Sequence, residues 1–227
     1  QHPAIVTLYR ASEPDGSGFA WYAMEHIENA IDLGNWLESH VDAKTGNSAA
    51  PLDQIFQFLE DAAAALREIH GRQIIHRDIK LSNFLVCPTA DGPRLKLLDF
   101  GIARLPESEL TAAVQMMGTP GYISPERARA YIADERYVFG PGDDLHALGV
   151  VAYRLITGHK PYSAADDFGL LHAVCTQQPR DVLELRRLRI PHMYDLFWRK
   201  PPPLVERRLR FELSERVTAG GTVLEPL

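Results

Sequence analysis

"QIIHRDIKLSNFLV", residues 73–86, packs His76, Arg77, Asp78, Lys80 and Asn83 into eight positions between two apolar runs. A solvated loop can gather such side chains by accident. A reactive site needs them there, because charged groups do chemical work only where the flanking backbone holds them in place.

The surrounding 227 residues suit one large domain or two small ones, at about 100–200 residues per domain. With 45% hydrophobic and 24% charged residues, the chain can bury an ordinary core. A net charge of −6 argues against a general nucleic-acid binder, which carries a basic surface. Cys87 and Cys175 lie far apart without metal-ligand spacing and read as reduced thiols of a cytoplasmic protein. No apolar run reaches the roughly 18 residues of a membrane span. The chain opens on Gln1 rather than Met, so it reads as a piece of a longer product that could carry an anchor elsewhere.

Upstream of the motif, residues 3–9 and 19–24 are strand-like, and "EPDGSG" between them predicts a hairpin. Residues 31–39 predict a short helix. From Pro51, Leu52, Ile55, Phe56, Leu59, Ala62, Leu66 and Ile69 recur at helical steps, with Gly71 just past the end. Downstream, residues 84–87 and 95–98 predict two strands joined by "PTADGP". Residues 144–157 predict a helix apolar almost all round, and therefore central, stopped by Gly158. Further helices follow Asp167. "RKPPPLVERRLR" carries a basic excess that reads as a solvated face or tail, and "TAGGTVLEPL" has little to bury.

"HRDIKLSN" is similar to the catalytic loop H-R-D-x-x-x-x-N of protein kinases. Asp99-Phe100-Gly101 matches the family's D-F-G, and "GTPGYISPE", 118–126, resembles the end of an activation segment, with Ser124 where Ala is usual. "DLHALGVVAYRLITGHKPY" is similar to the central helix of the kinase large lobe. The motifs keep the family's order over residues 2–178, and "DFGIAR" and "GTPGYISPE" look most like bacterial Ser/Thr kinases. The resemblance implies an α+β protein-kinase-like fold, with a mostly helical large lobe and a residual small-lobe β-hairpin. Residues 1–26 would be small-lobe strands and the start of the hinge, 27–200 the large lobe, and 201–227 a poorly structured tail.

The chemistry explains the residue types. Phosphoryl transfer needs positioning and charge neutralisation more than covalent help. By resemblance, Asp78 would aim the substrate hydroxyl and take its proton, and Lys80 would place positive charge on the moving phosphoryl group. Lys80 also marks a Ser/Thr-directed enzyme. Asn83 and Asp99 would offer oxygens to Mg²⁺, a hard ion, and Thr119 would tie the substrate-docking loop to Asp78 and Lys80. For ATP, Met24 would gate the back of the pocket, Glu25 to Ile27 would form the hinge, and Leu85, with Phe84, would lie under the purine. Arg77 would receive an activation-segment phosphate, with Thr111 favoured over Ser108 and Thr119 as acceptor. His76, Phe100, Gly101, Glu126 and Asp144 would be structural. Asp144 reads either as an N-cap or as an acceptor for catalytic-loop amides. Glu126 would pair with a late Arg, Arg207 or Arg208.

A Gly-rich loop and the lysine that anchors ATP phosphates have no counterpart here, since no lysine precedes Lys44 and Gly16-Ser17-Gly18 is followed by Trp21. The expectation is an ATP- and Mg²⁺-dependent Ser/Thr protein kinase, present as an incomplete and inactive catalytic domain. Its partners would be proteins bearing Ser or Thr, with self-association left open. A pseudokinase-like partner-binding module is the alternative, and a small-molecule kinase of the aminoglycoside type is a further one, opposed by "GTPGYISPE".

Overall fold

The computed structural model describes residues 1–12, 21–98, 119–180 and 182. The chain divides into Gln1–Pro179 and Arg180–Leu227, and the elements below lie in the first unit. Asp99, Phe100, Gly101, Ser108, Thr111, most of the hairpin turn and the 201–227 tail lie outside the described residues.

The predicted hairpin forms. Strand β1, Leu8–Ala11, pairs antiparallel with β2, Tyr22–Met24, in the register Leu8↔Met24 and Ala11↔Tyr22. Every residue of both strands is exposed. The strand predicted over 3–9 splits in two. Ala4 and Val6 are buried, and the Val6 and Ala4 backbones bond Leu97 at 3.0 and 2.9 Å, so this part adds to a different sheet.

That sheet is antiparallel, in the order β3–β4–β5: Ile31–Asp32, Phe84–Cys87 and Arg94–Leu97. The helix predicted at 31–39 thus begins two residues later, as α1, Leu33–Glu38. The Asp32 carboxylate caps it by accepting the Gly34 and Asn35 amides at 2.9 and 3.0 Å.

Helix α2, Leu52–Gly71, runs through Gly71, and Arg72 takes the cap position. Its buried stripe is Ile55, Phe58, Ala62, Ala65, Leu66 and Ile69. Phe58 is fully buried, whereas Phe56 and Leu59 are half-buried, so the expected face is corrected by part of a turn. Asp61 on α2 is buried too, where it accepts two bonds from Arg94 and one from the Leu95 amide. This ties helix to sheet.

Among the described residues three further α-helices follow: α3, Pro125–Ile132; α4, Pro141–Thr157; and α5, Asp167–Thr176. Helix α4 starts three residues before the predicted Asp144. It lies against α2 and buries Val150, Val151, Leu155 and Ile156. Gly158 ends it at φ 82°, where a Cβ would stand 2.3 Å from the Gly46 carbonyl oxygen. Helices α3 and α5 share a satellite cluster of Ile123, Ala128, Tyr162, Leu171 and Val174.

Candidate active site

The site grows from the first turn of α4. Gly140, not Asp144, is its N-cap. Asp144 is 1% exposed and accepts the His76 amide at 2.8 Å and the Arg77 amide at 2.9 Å, while His70 Nε2 lies 2.7 Å from its Oδ2. A buried carboxylate needs such partners. Between these amides the backbone of Arg77 takes a left-handed φ of 69°, a strained setting for a side chain this large, which the two bonds hold in place. His76 is fully buried, with Nε2 at 2.9 Å from the Leu98 carbonyl oxygen. The loop is therefore anchored both to α4 and to the chain just before Asp99.

Asp78 follows that anchor. Lys80 Nζ sits 2.6 Å from Asp78 Oδ2, and the Asn83 side-chain amide donates to the same oxygen at 3.0 Å and to the Asp78 carbonyl at 2.7 Å. Both donors use Oδ2, and among the described residues no donor reaches Oδ1, which suits it to a further hydroxyl. Asn83 spends its amide nitrogen on Asp78, so its oxygen is the atom left for a hard cation. Among the described residues no group of three or more His, Cys, Asp or Glu is placed to hold a metal. A magnesium site needs fewer, since the ion takes one or two protein oxygens plus substrate phosphates.

Arg77, Asp78, Thr119, Tyr122, Ser124, Arg127 and Asp143 line one cleft. Thr119 is exposed on it, and among the described residues it forms no hydrogen bond to Asp78 or Lys80. The Arg77 and Arg127 guanidinium groups stand over the Phe139 ring at 5.1 and 4.5 Å. Arg127 is buried, and that burial holds its pKa below the usual arginine value against the pull of Asp143. Glu126 is exposed on α3 and lies 3.7 Å from Arg129; Arg207 and Arg208 are outside the described residues.

On the nucleotide side, Glu25 follows β2, and its amide bonds the Thr7 carbonyl at 2.9 Å. Its carboxylate pairs with Lys96 of β5. Burial alone would raise this carboxyl, but hydrogen bonds from Lys96 and Thr7 keep it below the usual range. Leu85 is the half-buried residue of β4 and stands opposite Lys96, so the Glu25–Lys96 pair and Leu85 share one region. Phe84 is fully buried opposite Leu97 and offers no surface to a ligand. Met24 is 46% exposed, so among the described residues it closes no pocket; Ile27 is half-buried.

Arg127, Asp143, Tyr137, Phe139 and Lys96 join the site from outside the recognisable motifs. The adjacent acidic pair Asp143-Asp144 was the available signal.

The family model of the protein kinase domain matches residues 1–225. The serine/threonine-protein kinase pkn2 of Myxococcus xanthus is 33% identical over 187 residues, covering 80% of this chain and 20% of that protein. The serine/threonine-protein kinase PknA of Mycobacterium tuberculosis is 32% identical over 165 residues, covering 71% of this chain and 35% of that protein. The chain belongs to the protein kinase family, and these relatives are bacterial serine/threonine kinases. It spans between a fifth and about a third of the length of the curated relatives it matches. The family acts with ATP and Mg²⁺.

Proposed function

We propose that the site centred on Asp78 transfers the γ-phosphoryl group of ATP to Ser or Thr hydroxyls of proteins. The observation that carries this reading is the Asp78 carboxylate, with Oδ2 held by Lys80 and Asn83 and, among the described residues, no donor on Oδ1. The acceptor hydroxyl donates to Oδ1 and gives up its proton there. Its oxygen forms a bond to the γ-phosphorus as the bond from that phosphorus to the ADP oxygen breaks. Lys80 moves positive charge toward the transferring oxygens, at the cost of loosening its hold on Asp78. Mg²⁺, held by Asn83 and Asp99, would neutralise phosphate charge. Residues 1–26 act as small-lobe strands and the start of the hinge, and residues 27–200 as the large lobe. A cytoplasmic setting, where ATP is supplied, fits this reading.

These 227 residues hold no lysine before Lys44 to anchor ATP phosphates. On their own they therefore transfer slowly, far below the roughly 1–100 s⁻¹ of kinases. Radiolabelled ATP, Mg²⁺ and myelin basic protein test this. Expected is trace label on Ser and Thr alone, lost in Asp78→Asn. Label on Tyr, or transfer indifferent to Asp78→Asn, contradicts the reading.

A further inference from the structure

Asp143 and Asp144 are neighbours in the first turn of α4, yet they hold different segments. Asp144 takes the catalytic-loop amides. Asp143, 8% exposed, accepts on Oδ1 the Ser124 hydroxyl at 2.6 Å and the Tyr137 hydroxyl at 2.9 Å, and on Oδ2 the Gly140 amide at 2.9 Å. Ser124 in turn caps α3, accepting the Arg127 amide at 3.3 Å, and closes the stretch 119–124 beside the cleft. Ser124 is also the residue at which "GTPGYISPE" departs from the usual pattern.

We propose that Asp143 is a positioning residue for the acceptor polypeptide, fixing segment 119–124 to the same helical turn that holds the catalytic loop. The inference rests on reading 119–124 as the substrate-docking segment. Successive residues of a helix differ by about 1.5 Å in rise, so two carboxylates so placed set the spacing of whatever they hold. Hydrogen bonds from hydroxyls to a carboxylate are short and strong, hence stiff, and the N-terminal end of the helix favours both negative charges. Tyr137 reinforces the arrangement. Burial, with the charge of Asp143, pushes its hydroxyl up to about 12, so it stays a donor at neutral pH. Phe139 adds a second link, since Arg127 of α3 and Arg77 of the catalytic loop both stand over its ring.

Two variants of the 227-residue chain, Asp143→Ala and Ser124→Ala, test the proposal by segment-resolved hydrogen exchange. Ser124→Ala is expected to speed exchange over 119–128 by about tenfold, the equivalent of one charge-assisted hydrogen bond, and Asp143→Ala, which also frees Tyr137 and the Gly140 amide, by at least as much, with 76–79 unchanged in both. The double variant should exceed Asp143→Ala by little, because both changes remove one bond. In the radiolabel assay, Ser124→Ala should raise the KM for myelin basic protein by about fivefold without moving kcat or the KM for ATP. Ser124→Ala keeps the test sharp if Asp143→Ala fails to fold. Equal acceleration in both segments, no acceleration in either, or an unchanged protein KM overturns the proposal. If the exchange pattern holds while Ser124→Ala leaves the protein KM unmoved, the docking reading of 119–124 falls and takes the positioning role with it, leaving only a structural clamp; transfer indifferent to Asp78→Asn overturns the phosphoryl-transfer reading instead.

Discussion

Removing the Asp144 side chain would strand the His76 and Arg77 amides and His70 together, all in buried or half-buried surroundings. Asp144→Ala is therefore expected to destabilise the fold by about 3 kcal/mol, the scale of a broken buried carboxylate network. Urea denaturation at pH 7 measures it, and a loss under about 1 kcal/mol would contradict the anchoring role. His146, two residues further on, gives a pH signature. Its Nε2 is sealed from solvent and has no partner among the described residues, and burial lowers its pKa from 6.5 although Glu126 and Asp143 pull the other way. Between the lowered folded value and 6.5 the unfolded chain binds the proton more readily, so stability is full above that window and falls as pH drops through it. The thermal midpoint of wild type should drop more between pH 7.5 and 5.5 than that of His146→Leu. Parallel curves would remove His146 from the account.

Gly158 decides how α4 ends. Its positive φ, and the 2.3 Å approach that a Cβ would make to the Gly46 carbonyl oxygen, leave no room for a side chain. Gly158→Ala should cost about 2 kcal/mol or more, beyond the ordinary penalty for losing a left-handed cap, and calorimetry checks it. Helices α2 and α4 and strands β4 and β5 were legible in the sequence because periodicity and punctuation are local signals. The phase of α2 was less so: Phe56 and Phe58 are both apolar, and only packing against neighbouring elements selects Phe58. The catalytic loop was legible because its residues are contiguous. The Glu25–Lys96 pair and the bond from Ser124 to Asp143 were not, since they join elements far apart in sequence and charged residues carry no mark of their partners. Asp144 stood open between cap and acceptor, and the earlier start of α4 decides for acceptor.

Within Gln1–Pro179, the hairpin strands β1 and β2 are exposed, whereas helices α2 and α4 bury an apolar stripe. Leu8, Tyr9, Trp21, Tyr22 and Met24 are all more than a third exposed on that hairpin. Clustered apolar surface of this kind promotes association. Sedimentation velocity should show concentration-dependent self-association that weakens in a Tyr9→Ser, Trp21→Ser, Tyr22→Ser triple variant; equal association in both would place the contact elsewhere. The catalytic loop itself depends on none of these residues, since its anchors are Asp144, His70 and the chain before Asp99. Supplying a phosphate-anchoring roof should therefore switch on a site already formed. The direct measurement is phosphate transfer to myelin basic protein by a chimera that places a protein-kinase Gly-rich loop, phosphate-anchoring lysine and adjoining helix ahead of Gln1. The account predicts transfer to Ser and Thr at least about a hundredfold above the 227 residues alone, abolished by Asp78→Asn. A folded chimera that transfers no faster, or one that transfers equally well with Asn at position 78, would contradict it.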